Sequence, residues 1–225
     1  VLTETEKNMN VKILAKKSIH YYRRKGFFGT LLHIPRKLRW TIFRKRDILY
    51  VCDLVNLNGE GVSLPHEVTI EKKQTLQHLT ADEIQALCGE QDKSVFTEQL
   101  KSRFGRGSAV WVIKVQGKTA GMFWTITGTT IEPHYLCIMP SDAHLYNGKI
   151  LDNFRGRGLF PVLTHYIFSE LKKGGLLRAY VETNSANTAA VRAFEKINVK
   201  KIATARKYRL FGRNITIWNP EGKTP

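Results

Sequence analysis

The 225-residue sequence predicts an α/β (α+β) chain, and three observations carry that prediction. Ala109 to Val115 and Thr119 to Thr127 are apolar, β-rich runs joined by Gln116-Gly117-Lys118, a hairpin pattern. Leu145 to Leu151 is a second kind of apolar run. It leads into Asn153-Phe-Arg-Gly-Arg-Gly158, after which Leu159, Val162, Leu163, Tyr166, Ile167 and Leu171 recur at helical spacing, so the glycines sit on a strand-to-helix turn. Finally, Leu176 to Glu182 reads as a buried strand, and Ala190, Ala193, Phe194 and Ile197 mark a helix that starts at Asn187.

Taken in order, the chain opens with a basic arm. Between Lys12 and Arg46 it carries twelve Lys or Arg residues and no acid, with apolar residues at helix-like intervals broken by Gly26 and Gly29, a pattern for two short amphipathic helices. The sequence therefore divides into a helical extension, 1–46, and a folded domain, 47–225. Ile48 to Leu57 is the first strand expected of that domain, and Val68 to Ile70 a short second one. Residues 79–104 read as two helices. Thr80 caps the first with Glu83 at capping-box spacing and Gly89 ends it, while Val95, Phe96, Leu100 and Phe104 line the second. The hairpin follows, then a strand at Tyr135 to Met139, the run into the glycine turn, and a helix over 159–172 stopped by Gly174-Gly175. Two strands, near 199–209 and 213–218, close the chain.

A hydrophobic content of 42% with 24% charged residues is that of a globular protein, not a disordered one. The net charge of +17 favours a polyanionic neighbour. Three scattered cysteines, Cys52, Cys88 and Cys137, indicate neither a disulfide framework nor a zinc site, so no metal is expected and a reducing, cytoplasmic compartment fits. No apolar run approaches the ~20 residues of a membrane span. In the arm, Trp40 and Phe43 beside basic residues suit an anionic membrane surface or an acidic carrier protein. Nucleic acid fits less well, because no reading motif is present.

The glycine turn is where chemistry concentrates. A strand-to-helix turn aims unpaired backbone N–H groups and the positive end of a helix dipole at one point, which suits phosphate. Gly156 and Gly158 leave no Cβ in the way, and Arg155 and Arg157 add charge. The turn lacks the Gly-Lys-Ser/Thr of a P-loop, and Pro161 occupies the third glycine of the dinucleotide fingerprint.

The succession strand, Arg-Gly-x-Gly turn, helix, strand, then Asn187-x-x-Ala190-x-x-x-Phe194 on a helix resembles the GCN5-related N-acetyltransferase (GNAT) superfamily over roughly residues 47–218. The resemblance implies a mixed, mostly antiparallel twisted sheet flanked by helices. It also implies acetyl-CoA or another acyl-CoA as co-substrate, and a small-molecule or peptide amine as acceptor. In that family the loop wraps the pyrophosphate with main-chain N–H groups, here those of Arg155, Gly156, Arg157, Gly158, Leu159 and Phe160. Ile150 and Leu151 stand where the preceding strand pairs with pantetheine, and Asn187 matches a residue that contacts the pantetheine arm or serves as a plain helix cap.

Two positions depart from the family pattern: Phe160 replaces a small residue, and Phe194 stands where many members carry the tyrosine that protonates the leaving thiolate. Tyr146 or Tyr180 could supply the missing hydroxyl. Glu182 is the first candidate for general base, with His144 and Tyr146 behind it, and Cys137 reads as a buried small hydrophobe more readily than as a nucleophile. Two other readings stay open: an acyl-CoA-binding module without turnover, and a basic protein that binds an anionic membrane surface or nucleic acid.

Overall fold

The computed structural model describes residues 45–57, 64–130, 138–197, 199–210 and 213–221. The predicted arm lies outside these residues except for Lys45 and Arg46, and so does Tyr135 to Cys137 of the strand expected there.

Eight strands form one sheet: β1 (Lys45–Asp53), β2 (Val68–Lys73), β3 (Ala109–Val115), β4 (Lys118–Thr127), β5 (Asp142–Ile150), β6 (Arg178–Asn184), β7 (Lys200–Leu210) and β8 (Arg213–Pro220). Their spatial order is β2-β3-β4-β5-β6-β1-β7-β8. Every neighbouring pair is antiparallel except β5 and β6, which run parallel. Among the described residues there are four α-helices: α1 (Ala81–Cys88), α2 (Lys93–Gly105), α3 (Leu159–Lys173) and α4 (Thr188–Lys196).

Local chemistry sets most boundaries. The β3–β4 hairpin turns through Gln116 (φ 51°) and Gly117 (φ 73°), the two positive φ values of a two-residue turn that matches strand twist. At α1, the Glu83 amide donates to the Thr80 hydroxyl (3.1 Å) and the Thr80 amide to the Glu83 carboxylate (2.8 Å), the expected capping box. Asp92 caps α2 by accepting from the amides of Ser94 and Val95.

β1 differs from expectation in extent. Its apolar run suggests a strand to Leu57, but the Asp53 carboxylate accepts from the Val55 and Asn56 amides (3.1 and 3.4 Å) and turns the chain there. In the sheet β1 lies between β6 and β7 and pairs with both.

Strand alternation divides the core. On one face Tyr50, Cys52, Trp111, Phe123, Leu145 and Val181 meet Leu163, Ile167 and Phe168 of α3 and Phe194 of α4. On the other, Val110, Val112, Met122, Trp124 and Tyr146 lie beneath α1 and α2 through Leu87, Phe96 and Leu100.

The buried thiols yield a direct check. Burial, with a smaller contribution from the Asp53 charge, pushes the Cys52 pKa up to about 11, and burial also raises Cys88. A thiol far above its ordinary pKa presents little nucleophilic thiolate. Neither residue is expected to react with Ellman's reagent in the native state at pH 8, and both should react on unfolding. Peptide mapping after alkylation reads the outcome; rapid native labelling at Cys52 would contradict the burial.

Candidate active site

The parallel pairing of β5 with β6 is short. It joins Asp142 to Arg178, Ala143 to Ala179, His144 to Tyr180 and Leu145 to Val181, and stops there, although β5 continues to Ile150 and β6 to Asn184. Beyond Leu145 no ladder pair joins the two strands, and the region between their remaining lengths, at the end of the sheet toward which both run, is the candidate cleft.

β5 carries a bulge in this region. Tyr146 is opposite Trp124 and Lys149 opposite Met122, so Asn147 and Gly148 share the single residue Phe123, and Asn147 takes φ 53°. A Cβ on Gly148 would sit 2.9 Å from both the Phe123 and Phe160 rings, so the backbone here lies directly against aromatic side chains.

The alternation of strand backbone assigns the free edge. The Leu151 amide donates to the Ala120 carbonyl (2.8 Å), and the Leu151 carbonyl accepts from Phe154 (2.9 Å). Leu151, expected to pair with a ligand, thus has both main-chain groups engaged. Ile150, one residue earlier, points its main-chain groups the other way, toward the parting of β5 and β6. The Arg155 Nε donates to its carbonyl at 3.3 Å, which fixes Arg155 at the cleft rim.

A short 3₁₀ turn, Asp152–Phe154, leads from β5 into the glycine turn. Gly156 and Gly158 take φ 78° and 72°, and a Cβ on either would meet no atom within 4 Å. Their missing side chains therefore leave open space above the turn. The amides of Phe154 and Arg155 close the 3₁₀ turn by donating to Leu151 and Asp152, and that of Val162 donates to Gly158. Between them, the amides of Gly156, Arg157, Gly158, Leu159 and Phe160 find no acceptor among the described residues, and Pro161 has no N–H. Five consecutive unsatisfied donors at the start of a 15-residue helix make a positive cradle. The two guanidinium groups flank it: Arg155 pairs with Asp152 (2.8 Å), and Arg157 lies over the Phe154 ring (5.4 Å) while donating to the Asn153 carbonyl.

The two bulky departures from the family pattern pack together. Phe160 lies 5.3 Å from Phe123 and 5.4 Å from Phe194, and Phe194 is 5.4 Å from Tyr50, all measured between ring centroids. Phe160 thus turns into the core rather than over the turn. Phe194 is buried, with 1% of its surface exposed.

The expected catalytic residues share the opposite face. His144 and Tyr180 are register partners, Tyr146 follows His144 by two positions and Glu182 follows Tyr180 by two, so the four side chains flank the parting of the strands on the α1/α2 side. His144 is buried and stacks on Tyr146 (5.8 Å, 26°). Tyr146 is buried, donates to the Ser108 hydroxyl (2.8 Å), and has its pKa raised by that burial. Burial also raises the pKa of Tyr180. Glu182 is half-buried and stands opposite Leu49 of β1. Among the described residues no group of three His, Cys, Asp or Glu side chains could hold a metal, and no helix is long and apolar enough to cross a membrane.

Sequence reasoning missed two features. The Arg103 guanidinium of α2 lies over both Trp124 (5.0 Å) and Tyr146 (5.6 Å), a contact between distant elements that no local pattern announces. The bulge did leave a trace, because Asn147-Gly148 inside an apolar strand is a pair that tolerates positive φ.

Comparison with solved structures decides the fold. Over 77% of its length the chain superposes on a GNAT-family acetyltransferase from Colwellia psychrerythraea (59% of that chain, TM-score 0.51, 14% identity). Over 85% it superposes on a GCN5-related N-acetyltransferase from Sphaerobacter thermophilus (56% of that chain, TM-score 0.52, 11% identity). The chain has the GNAT fold. It also matches the GCN5-related glucosamine N-acetyltransferase region of a fungal multi-domain β-N-acetylglucosaminidase, over 79% of this chain and 22% of that one (TM-score 0.53, 11% identity). It thus spans less than two thirds of the length of these structures. No protein-family model matches the sequence, and no curated protein does. Within the GNAT fold, the parting of β5 and β6 and the glycine turn fall on the same end of the sheet.

Asn187 occupies the N-cap of α4, where its side-chain oxygen accepts from the Ala190 amide (3.2 Å). This cap leaves the side-chain NH2 as the group with which a ligand could be met. Asn187→Ala should cost about 1 kcal/mol of stability, whereas Asn187→Asp should keep the cap within a few tenths. If the amide also contacts a bound pantetheine, the Asp variant will lose CoA-induced thermal stabilisation while retaining its unliganded melting temperature. Unchanged CoA stabilisation in that variant confines Asn187 to capping.

Proposed function

We propose that the chain is an N-acyltransferase that moves an acetyl or longer acyl group from acyl-CoA to an amine. The observation that carries this reading is the run of five amides, Gly156 to Phe160, with no acceptor among the described residues, beside the place where the β5–β6 pairing ends. A diphosphate matches that cradle in charge and in acceptor chemistry. A pantetheine arm laid in the cleft would meet the outward-facing main-chain groups of Ile150 as an added strand does.

The activated thioester supplies the reactive bond. What this chain adds is alignment, a main-chain donor for the carbonyl oxygen, and a carboxylate, Glu182, positioned to take a proton from the incoming ammonium. The leaving thiol, with an intrinsic pKa of ~8.5, departs tolerably without a proton donor, which fits a buried phenylalanine at position 194.

Two measurements test the proposal. CoA at about 100 times its Kd should stabilise the fold by about 2.7 kcal/mol, or roughly 5–10 °C for a chain of this size. Release of free thiol from acyl-CoA with a panel of amines then reports turnover, and the buried Cys52 and Cys88 should add little to that signal. No thermal response to CoA would remove the proposal. Phe194 favours a second reading, a binding module without turnover. Stabilisation by CoA with no thiol release for any acyl length or amine would select it.

A further inference from the structure

We propose that the donor site admits only short acyl groups, acetyl or propionyl, and that a row of four aromatic rings on the α3/α4 face of the candidate cleft sets the limit. The inference rests on the acyltransfer reading and narrows its substrate class.

The β5–β6 ladder ends at Leu145 and Val181, whose side chains belong to the core on the α3/α4 face. On the β5 side of that point, Phe123 of β4 lies against Phe160 of α3, with ring centroids 5.3 Å apart. On the β6 side, Tyr50 of β1 is the register partner of Val181 and lies 5.4 Å from Phe194 of α4. Phe160 and Phe194 then meet edge to face at 5.4 Å and 70°. Rings at these spacings are in contact. The row Phe123, Phe160, Phe194, Tyr50 therefore runs unbroken from one side of the candidate cleft to the other, and no methylene chain passes between adjacent members.

Gly148 shows how little room the row leaves. It belongs to the bulge of β5, and a Cβ there would already lie 2.9 Å from the Phe160 and Phe123 rings. Tyr50, Phe123 and Phe194 are buried, and a close-packed interior takes extra carbons only by displacing a ring.

The acyl group is brought to this row by the direction of its carrier. With the diphosphate at Gly156 to Phe160 and the pantetheine arm along Ile150, the thioester end runs back along β5 toward Leu145. On the α3/α4 side the acyl carbons then meet the rings. On the α1/α2 side they meet Glu182 and the place of the incoming amine, where an apolar chain gains nothing. Two or three carbons fit at the end of the ladder, and six do not.

The test uses the full chain, with affinities for CoA, acetyl-CoA and hexanoyl-CoA taken from the shift of melting temperature with ligand concentration. The parent should bind hexanoyl-CoA at least about tenfold more weakly than acetyl-CoA. Phe194→Leu and Phe160→Leu should each move that ratio about tenfold toward hexanoyl-CoA, as expected for room for two methylenes at about fourfold each. Thiol release with the amine panel should shift in the same direction. Phe168→Leu, which shortens a buried ring of α3 outside the row, should lower the melting temperature and leave the ratio unchanged. Equal affinity of the parent for the two thioesters would overturn the inference, as would an unmoved ratio in both row variants or an equal change in Phe168→Leu. In each of these cases a thermal response to CoA itself would leave the acyltransfer reading standing, whereas no response to CoA would remove both.

Discussion

Gly158→Asp is expected to abolish CoA-induced thermal stabilisation and to reduce thiol release from acyl-CoA by at least about a hundredfold. Gly158 is the N-cap of α3 at φ 72°, and the space where its Cβ would project is empty. An aspartate side chain enters that space. Its carboxylate takes the place of the diphosphate, competing for the same amides at Gly156 to Phe160 and repelling a second anion. The expected cost in unliganded stability is small, ~1 kcal/mol, because aspartate tolerates the left-handed region better than most residues and its charge favours a helix N-terminus. Gly158→Ala is the companion variant. It carries the backbone strain without the charge, so it should retain measurable CoA binding. If Gly158→Asp binds CoA like the parent, the cradle is not where the nucleotide sits.

The second large effect concerns the opposite face of the sheet. Glu83 is 1% exposed, and its carboxylate pairs with Lys114 (2.9 Å) and, at longer range, with Lys73 (3.8 Å) while closing the capping box of α1. Glu83→Ala leaves two mostly buried lysines short of a counter-charge and the Thr80 amide without its acceptor. Loss of one partner from a buried ion pair costs about 3–5 kcal/mol. The melting temperature should fall by roughly 10 °C or more. Glu71→Gln, which touches the same lysines from a site that is two-fifths exposed, should cost far less.

Glu71 also sets a pH dependence. Hydrogen bonds from Lys114 and then Lys73 hold its carboxyl below the usual Glu value. A carboxyl depressed on folding contributes stability above its unfolded pKa of ~4.3 and loses it as pH falls through the folded value. Denaturant melts in mild acid should therefore weaken as pH drops, with a shallower decline in Glu71→Gln. A steeper decline in that variant would reverse the assigned sign.

The hairpin, the capping box, the glycine turn and the cap at Asn187 were all legible in the sequence, because each is a local arrangement whose residues lie within a few positions of one another. The same locality explains what was hidden. The place of β1 depends on its partners in β6 and β7, and no periodicity within Ile48 to Leu57 names them. The engagement of the Leu151 amide depends on Ala120, thirty-one positions away and on another strand. The pairing of Phe160 with Phe194 was half legible: each stood out as a departure from a family pattern, but only the packed rings show that one bulky residue accommodates the other. Glu182, Tyr146 and His144 could be named from strand ends and residue type, while their common face emerged from the register of β5 on β6.

The interior place of β1 has a consequence for how the polypeptide matures. Its partners begin at Arg178 and Lys200, so β1 leaves the ribosome well over a hundred residues before either of its edges can be matched. During that interval the hydrophobic side chains of Leu49, Tyr50 and Cys52 have no finished shelter. Such late closure slows acquisition of the native topology and leaves an adhesive ribbon on the nascent chain. Synthesis of this protein should therefore lean on holdase protection more heavily than that of a fold whose leading strand pairs with the next.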